Sequence, residues 1–125
     1  MPRIVLDLPF PPSVNALYQS HRGRVHRSRK YLKWITDSYG HWLVQRGSNE
    51  VWAINGHYKL KIILNPPDKR RRDTGNYEKA VSDFLQSMGI IENDYLSRDI
   101  HVVWGTAADT TYGAKVILDS VDSPE

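Results

Sequence analysis

The chain has 125 residues, of which 40% are hydrophobic and 25% charged, and this composition is typical of a folded globular protein. The absence of cysteine excludes disulfide bonds, thiolate catalysis and zinc sites built on cysteine. Because no apolar stretch reaches the length of a transmembrane helix and the first residues lack a signal-peptide pattern, we expect a single cytoplasmic domain over residues 1–125.

Charge is distributed unevenly along the chain, whose formal net charge is +3. Residues 1–72 contain 14 Lys and Arg against 4 Asp and Glu, whereas residues 73–125 contain 3 against 10. The net charge is therefore +10 before the boundary and −7 after it. A basic region of this size favours a polyanionic partner, because cations on phosphates release condensed counterions. An uneven set of solvated charges is the alternative.

The first half of the chain is predicted to contain two strands and a helix. Residues 4–8 are rich in β-branched and aliphatic side chains and end at a proline, which predicts a strand. Residues 24–26 are expected to form a short extended segment. A helix is predicted to begin after Ser28, a good N-cap, and to end at Gly47. Alternating apolar residues over 57–64 predict the next strand.

The second half is predicted to contain a helix and two further strands. One apolar stripe of helical period is formed by Tyr77, Ala80, Val81, Phe84, Leu85 and Met88. The stripe ends at Gly89. Residues 100–104 and 114–118 alternate and are interpreted as a β-hairpin with its turn at 109–113. The order β-α-β-α-β-β predicts an α/β or α+β domain, in which two helices pack on a small mixed sheet.

A run of basic residues precedes the second predicted helix, and its four members are Lys69, Arg70, Arg71 and Arg72. Adjacent cations repel one another and contribute little to folding, so a partner usually explains them. Arginine suits phosphates because its planar fork binds two oxygens at once. A solvated charged surface is the alternative interpretation.

Polar residues continue directly after the basic run. If the helix begins at Asp73, then Asn76, Lys79 and Asp83 share one flank with it at 100° per residue. Two plainer interpretations stay open. Asp73 is suited to be only an N-cap, and Lys79 and Asp83 are suited to form only a surface ion pair.

The loop after this helix, Glu92-Asn93-Asp94, adds further carboxylates. Carboxylates from a helix start and a returning loop are ligands that Mg²⁺ accepts together with phosphate oxygens and water. Beside basic residues, such a metal activates water for phosphodiester hydrolysis. The residues therefore favour a metal-dependent nuclease. No nucleotide cofactor is expected, because the sequence contains no glycine-rich phosphate loop.

The chain resembles the RusA family of Holliday junction resolvases over nearly its whole length. The similar segments are residues 8–15, 22–26 and 67–73, then Asn76, Lys79, Ala80, Asp83 and Asp94. The resemblance implies a RusA-like fold and a homodimer that binds branched DNA, namely four-way junctions, and makes paired symmetric cuts with Mg²⁺ or Mn²⁺. It also implies a phage or prophage protein that acts in recombination and repair.

In the family pattern two aspartates separated by one residue precede Asn and Lys, and a further aspartate follows the helix. Asp73, Lys79 and Asp94 match this pattern, whereas Gly75 occupies the position of the second aspartate. Helical side chains lean towards the N-terminus, so we hypothesise that Glu78 reaches back over Gly75 and replaces the missing ligand. Asp73, Glu78 and Asp94 are then the metal ligands, and Lys79 completes the catalytic set.

DNA contacts are expected from a separate group of residues, namely Arg24, Lys69, Arg70, Arg71, Arg72 and Asn76. Two alternatives to an active resolvase are kept. The first is a catalytically weak or inactive junction-binding protein, which Gly75 favours. The second is an unrelated basic RNA-binding domain, in which the acidic second half is only a solvated surface.

Overall fold

The computed structural model describes residues 3–48, 52–106 and 113–121. Its strands are β1 (Arg3–Leu8), β2 (Tyr18–His21), β3 (Arg24–Arg27), β4 (Tyr58–Leu64), β5 (Ser97–Trp104) and β6 (Ala114–Ser120). Its helices are α1 (Arg29–Arg46) and α2 (Glu78–Ser87), and short 3₁₀ turns cover Val14–Ala16, Thr74–Asn76 and Asp94–Leu96. The mixed α+β architecture predicted from the sequence is confirmed.

Four strands form one mixed sheet in the order β1-β6-β4-β5. β6 runs antiparallel to both of its neighbours, whereas β5 runs parallel to β4. The predicted hairpin of residues 100–104 and 114–118 is therefore wrong, because β4 lies between these two strands. Alternation identifies a strand but carries no information about which strand it pairs with. The predicted turn at 109–112 lies outside the described residues.

The hydrophobic core lies on one face of this sheet. Alternate side chains are buried along β1, β4 and β6, as the two-residue period of a strand requires. Both helices contribute to the same cluster of buried residues. Trp34 of α1 meets Phe84 of α2 edge-on, with ring centroids 5.7 Å apart. The helices therefore pack on the sheet and on each other.

Both ends of α1 confirm the sequence prediction. The Ser28 hydroxyl accepts a hydrogen bond from the backbone N–H of Tyr31 at 3.1 Å, which satisfies one free donor of the first turn. Gly47 ends the helix with a φ of 55°, and its N–H donates to the carbonyl of Leu43 at 3.1 Å. This positive φ favours glycine.

α2 begins five residues later than predicted, at Glu78 rather than at Asp73. Asp73 is extended, with φ −100° and ψ 126°, and Thr74–Asn76 form a 3₁₀ turn. Thr, Gly and Asn have low helix propensity, which explains the late start. Asp73 and Asn76 therefore do not belong to the same α-helical flank as Lys79. The predicted apolar stripe of α2 is confirmed, because Ala80, Val81, Phe84 and Leu85 are buried.

β2 and β3 form a separate two-stranded sheet. The sequence predicted only the extended segment at 24–26, which corresponds to β3. The register pairs Tyr18 with Arg27 and His21 with Arg24. All eight residues of the two strands are exposed, so they carry no apolar alternation from which β2 could be recognised.

Within the described ranges, neither helix is long and apolar enough to cross a membrane.

Candidate functional site

The predicted catalytic residues lie on segments that flank α2. Asp73 and Gly75 precede the helix, Glu78 and Lys79 form its first turn, and Asp94 begins the 3₁₀ turn before β5. α2, which lies between Asp73 and Asp94 in sequence, has ten residues and is about 15 Å long. In the part of the chain that is described, no three His, Asp or Glu side chains approach closely enough to hold a metal ion.

The basic loop, residues 68–72, has a defined internal structure. The Asp68 carboxylate accepts a hydrogen bond from the backbone N–H of Arg70 at 2.9 Å and forms an ion pair with Arg72 at 2.8 Å. Arg72 also donates to the carbonyls of Asp68 and Arg70, both at 3.2 Å. The Arg70 N–H, followed by the Arg72 guanidinium, holds the pKa of Asp68 below its ordinary value.

Arg72 differs from the other cations of the basic loop. Its side chain is only 7% exposed, and its guanidinium lies 5.4 Å from the ring centroid of Phe10. Lys69, Arg70 and Arg71 are exposed. Arg72 therefore stabilises the loop from inside, while its three neighbours face solvent. A DNA contact by Arg72 remains a prediction, whereas its contacts within the loop are observed.

A cleft of about 370 Å³ lies beside the basic loop. It is lined by apolar and cationic side chains, including Phe10, Pro12, Lys30, Arg70, Arg71 and Tyr77. Aromatic rings next to cations suit an unstacked base and its phosphate.

Asp73 and Gly75 leave the approach to α2 open. The carbonyl of Asp73 accepts from the N–H of Asn76 at 3.1 Å, but the Asp73 side chain caps no backbone group. A Cβ atom added to Gly75 would meet no other atom within 4 Å, and the φ of Gly75 is not left-handed. A larger side chain therefore fits at position 75 without strain.

Glu78 does not lie where the sequence argument placed it. The hydroxyl of Ser82 donates to the Glu78 carboxylate, one turn towards the C-terminus of the helix and away from Gly75. Ser82 is 3% exposed, and its buried hydroxyl needs an acceptor. The expectation that Glu78 leans back over Gly75 is thus wrong for this conformation. Its role as a metal ligand is still a prediction.

Asp94 is held in place by its backbone. Its N–H donates to the side-chain carbonyl of Gln86 at 3.1 Å, and its carbonyl accepts a long 3.5 Å hydrogen bond from the Tyr58 hydroxyl. The side chain of Asn93 accepts from the N–H of Tyr95 and closes the turn. Asp94 is exposed, and none of the ion pairs between described residues involves it. Its carboxylate is available to a ligand.

Electrostatic interactions connect three of the predicted residues. Burial, and then the charges of Asp94 and Glu78, raise the pKa of Tyr58 to about 12. The pKa of Lys79 is raised, mainly by its hydrogen bond to Asp83 and the charge of Asp83, with a smaller effect of Asp94. The charges of Glu78 and Asp94 therefore both act on Tyr58, and the charge of Asp94 also acts on Lys79.

The plainer interpretation of Lys79 is also observed, since its ammonium lies 3.2 Å from the Asp83 carboxylate. Of the remaining predicted DNA contacts, Arg24 is exposed on β3 and Asn76 is half-buried in the 3₁₀ turn. The sequence argument missed the roles of Tyr58, Ser82 and Gln86. Their polar side chains were the only hint in the sequence. The pattern of apolar residues around each of them does not show which residue it bonds to in the fold.

The basic loop leads directly to the exposed carboxylate of Asp73, and cations beside a carboxylate suit an enzyme that cleaves phosphodiesters. Residues 9–119 match the family model described as Endodeoxyribonuclease RusA. The chain is 34% identical over 98 residues to the crossover junction endodeoxyribonuclease of Enterobacteria phage 82, covering 78% of this chain and 79% of that protein. It is 33% identical over 101 residues to the enzyme of the same name from Shigella sonnei, with the same coverage.

The chain belongs to the RusA family of endodeoxyribonucleases. This assignment confirms the resemblance that the sequence shows over nearly its whole length. It excludes the alternative of an unrelated RNA-binding domain.

Proposed function

We propose that the protein is a Mg²⁺-dependent endonuclease that cuts four-way DNA junctions. The observation that carries this proposal is the exposed carboxylate of Asp94, which forms no ion pair with the described residues and whose charge acts on the cationic Lys79. Similar proteins from phage and enterobacteria are named crossover junction endodeoxyribonucleases. The substrate of this chain is inferred from those names together with its charge distribution.

The donor set suits Mg²⁺ because every candidate ligand is a carboxylate oxygen. Asp73, Glu78 and Asp94 do not converge in the described structure, so they would have to close on the ion as it binds, and substrate phosphate oxygens and water would complete its coordination. Bound Mg²⁺ lowers the pKa of a coordinated water and neutralises charge on the phosphate. Mn²⁺ accepts the same oxygen ligands and is expected to substitute.

Lys79 contributes a positive charge rather than a base. Its pKa is raised by Asp83, so the ammonium stays protonated at neutral pH and cannot accept a proton. Its three N–H donors suit a phosphate oxygen. The exposed side chains of Lys69, Arg70 and Arg71 would hold the flanking DNA through its phosphates.

A homodimer would explain paired cuts, since a two-fold axis relates two identical sites. The surface we favour is β5, an edge strand with Ile100 and Trp104 exposed. Asp99 and His101 flank Ile100, and the Nε2 atom of His101 lies 3.2 Å from the Oδ1 atom of Asp99. Antiparallel pairing of two copies about Ile100 would place Asp99 opposite His101 of the partner subunit, which is complementary in charge.

Light scattering on a sizing column tests this surface. The native chain is expected to elute as a dimer and Ile100→Lys as a monomer, because two lysines on the axis repel each other. If Ile100→Lys stays dimeric, the dimer uses another surface, and the proposed cleavage activity is unaffected.

The missing aspartate at position 75 supports a second candidate, a protein that binds junctions and cuts them slowly. Both candidates bind DNA, and they differ in the rate of cleavage. An end-labelled four-way junction is incubated with Mg²⁺, with Mn²⁺ and with EDTA, and a linear duplex of the same arm sequence is the control. The leading proposal predicts metal-dependent cuts at symmetric positions of the junction only. Binding in EDTA without cleavage in either metal favours the second candidate.

A further inference from the structure

The hairpin formed by β2 and β3 stands apart from the main sheet. Both strands are four residues long, and all eight of their residues are exposed. A two-stranded hairpin without an apolar face is marginally stable alone. Its persistence here therefore depends on what holds its base.

The base of the hairpin is fixed to the start of α1. The N–H of Ser28 donates to the carbonyl of Leu17 at 2.9 Å, and the Ser28 hydroxyl donates to the carbonyl of Ala16 at 2.6 Å. Leu17 is completely buried, and the ring of Tyr18 meets that of Tyr31 edge-on at 6.0 Å. The hairpin is thus held rigidly at its base while its turn projects into solvent.

The turn of the hairpin contains a conformation that is unusual for its sequence. Arg22 has a φ of 52° and is the one residue other than glycine with positive φ in the described ranges, and Gly23 follows with 76°. Positive φ at both central positions is the pattern of a two-residue hairpin turn that favours Asn-Gly. Arginine is poorly suited to the first position, because its side chain crowds the backbone there. A turn selected for stability alone would not place arginine here.

The hairpin is also strongly basic. It carries His21, Arg22, Arg24, His26 and Arg27, and the sequence contains no carboxylate from residue 8 to residue 36. None of the ion pairs found between described residues involves these arginines. The charge of the hairpin is therefore not neutralised within the described part of the molecule.

The hairpin is rooted next to the candidate active site. A cavity of about 470 Å³ separates its base from α2 and is lined by Tyr18 and Arg27 on one side and by Asp83 and Phe84 on the other. Asp83 is the ion-pair partner of Lys79. The base of the hairpin therefore lies close to Lys79, where DNA would be held.

We propose that the β2–β3 hairpin enters the major groove of a DNA arm beside the branch and that Arg22 contacts base edges there. This inference rests on the proposed function. Strands of four residues span about 13 Å, which exceeds the roughly 8.5 Å depth of that groove. The major groove, about 12 Å wide, admits a two-stranded ribbon directly, whereas the minor groove, about 6 Å wide, must first be widened at a cost in free energy. Arginine suits the O6 and N7 atoms of guanine.

The decisive variant is Arg22→Asn, because asparagine suits the left-handed turn. We expect its melting temperature to equal or exceed that of the native chain, while its affinity for a four-way junction in EDTA falls about tenfold. Arg22→Gly provides a second variant that relieves the same conformation. Arg46→Asn is the matched control, because Arg46 ends α1 at the opposite end from the hairpin. It is expected to bind like the native chain.

Dimethyl sulfate footprinting distinguishes a groove contact from a phosphate contact, because this reagent methylates guanine N7 in the major groove. The native chain is expected to protect guanines beside the branch, and both Arg22 variants are expected to lose that protection. Arg22→Lys keeps the charge but lacks the planar guanidinium, so we expect its affinity for the junction to remain below that of the native chain.

Three outcomes would overturn the inference. Native affinity of Arg22→Asn and Arg22→Gly removes any role in binding, and a loss of affinity in these variants with unchanged protection of guanine N7 reduces the role to a phosphate contact. A lower melting temperature of both Arg22→Asn and Arg22→Gly makes Arg22 a structural residue. The proposed function survives each of these outcomes if the native chain cuts junctions. If the native chain neither binds nor cuts junctions, the proposed function fails as well.

Discussion

The two ends of α2 carry the predicted carboxylates in very different settings. At the C-terminal side, Asp94 lies in a turn in which its N–H donates to Gln86 and its carbonyl accepts from the Tyr58 hydroxyl. At the N-terminal side, Asp73 caps nothing, Gly75 leaves open space, and Glu78 is bound to Ser82. The backbone of Asp94 is thus held in place, whereas the N-terminal side of the candidate metal site is incomplete. Preorganised groups contribute more to catalysis than groups that must first be ordered.

The largest expected effect on junction cleavage is at Asp94, at the C-terminal side of α2. Asp94→Asn is expected to lower junction cleavage about 10²- to 10³-fold, the usual cost of removing a preorganised charge. Asp73→Asn is expected to cost less, because Asp73 is not held in place. Single-turnover rates in Mg²⁺ measure both effects, and junction binding in EDTA should not change. Asp37→Asn, in an exposed ion pair of α1, serves as the control. If Asp94→Asn and Asp73→Asn lose the same amount of cleavage activity, the proposed difference between the two ends of α2 is wrong.

A carboxylate restored at position 75, at the N-terminal side of α2, should raise the rate of junction cleavage. Gly75→Asp restores the carboxylate of the family pattern at a position where a Cβ meets no neighbour, so we expect cleavage to increase about tenfold. Gly75→Asn has the same size without the charge and should give no gain. An unchanged rate for Gly75→Asp would show that the open position does not limit the reaction.

Glu78 should contribute less than Asp94, because Ser82 already occupies its carboxylate. We expect Glu78→Gln to lower cleavage about tenfold if Glu78 replaces the missing ligand. Near-native cleavage by this variant would contradict that hypothesis. Ser82→Ala removes the donor without removing the carboxylate, and it is the control for local packing of the helix.

Two arginines of the basic loop are expected to have different roles, Arg72 in the stability of the fold and Arg71 in DNA binding. Arg72→Ala removes the internal contacts to Asp68 and Arg70 and is expected to cost about 1–3 kcal/mol of the free energy of unfolding. Arg71→Ala should leave stability unchanged and reduce the salt dependence of DNA binding by about one phosphate contact. Urea titration and anisotropy at several salt concentrations test the pair. The reverse pattern would assign Arg72 to the DNA.

The smallest effect is expected at Tyr58. Tyr58→Phe removes the long hydrogen bond from the Tyr58 hydroxyl to the carbonyl of Asp94. It should change the rate of cleavage less than about threefold. Burial raises the pKa of Tyr58 to about 12 in the folded chain, above its ordinary value of 10.0. This group therefore stabilises the fold below pH 10, and that contribution is lost as the pH rises towards 12. Melting temperatures across this range should fall less steeply for Tyr58→Phe.

The sequence revealed the elements of the fold better than their arrangement. Apolar periodicity correctly identified α1, the stripe of α2 and the strands of the main sheet, because burial imposes that periodicity. It did not show that β6 lies between β1 and β4, since pairing depends on the whole chain. It missed β2, whose exposed residues have no alternation, and it placed the start of α2 too early.

The candidate site was recognisable for a different reason. Asp73, Lys79 and Asp94 follow a family pattern, and charge changes sign at Arg72. The contacts that hold these residues were not recognisable from the sequence. Gln86 lies eight positions from Asp94, and Tyr58 lies thirty-six. Only the folded chain brings such groups together.

The position of β6 has a consequence for how the protein folds during synthesis. β1 and β4 do not pair with each other, and both pair with β6, which begins at Ala114. Arg3 is paired with Asp119, so this contact joins residues 116 positions apart in sequence. Contacts of such long range slow folding, because the loop must close before pairing stabilises it. The nascent chain therefore exposes two unpaired strand edges until β6 leaves the ribosome, and a chain shortened before Ala114 would keep them open.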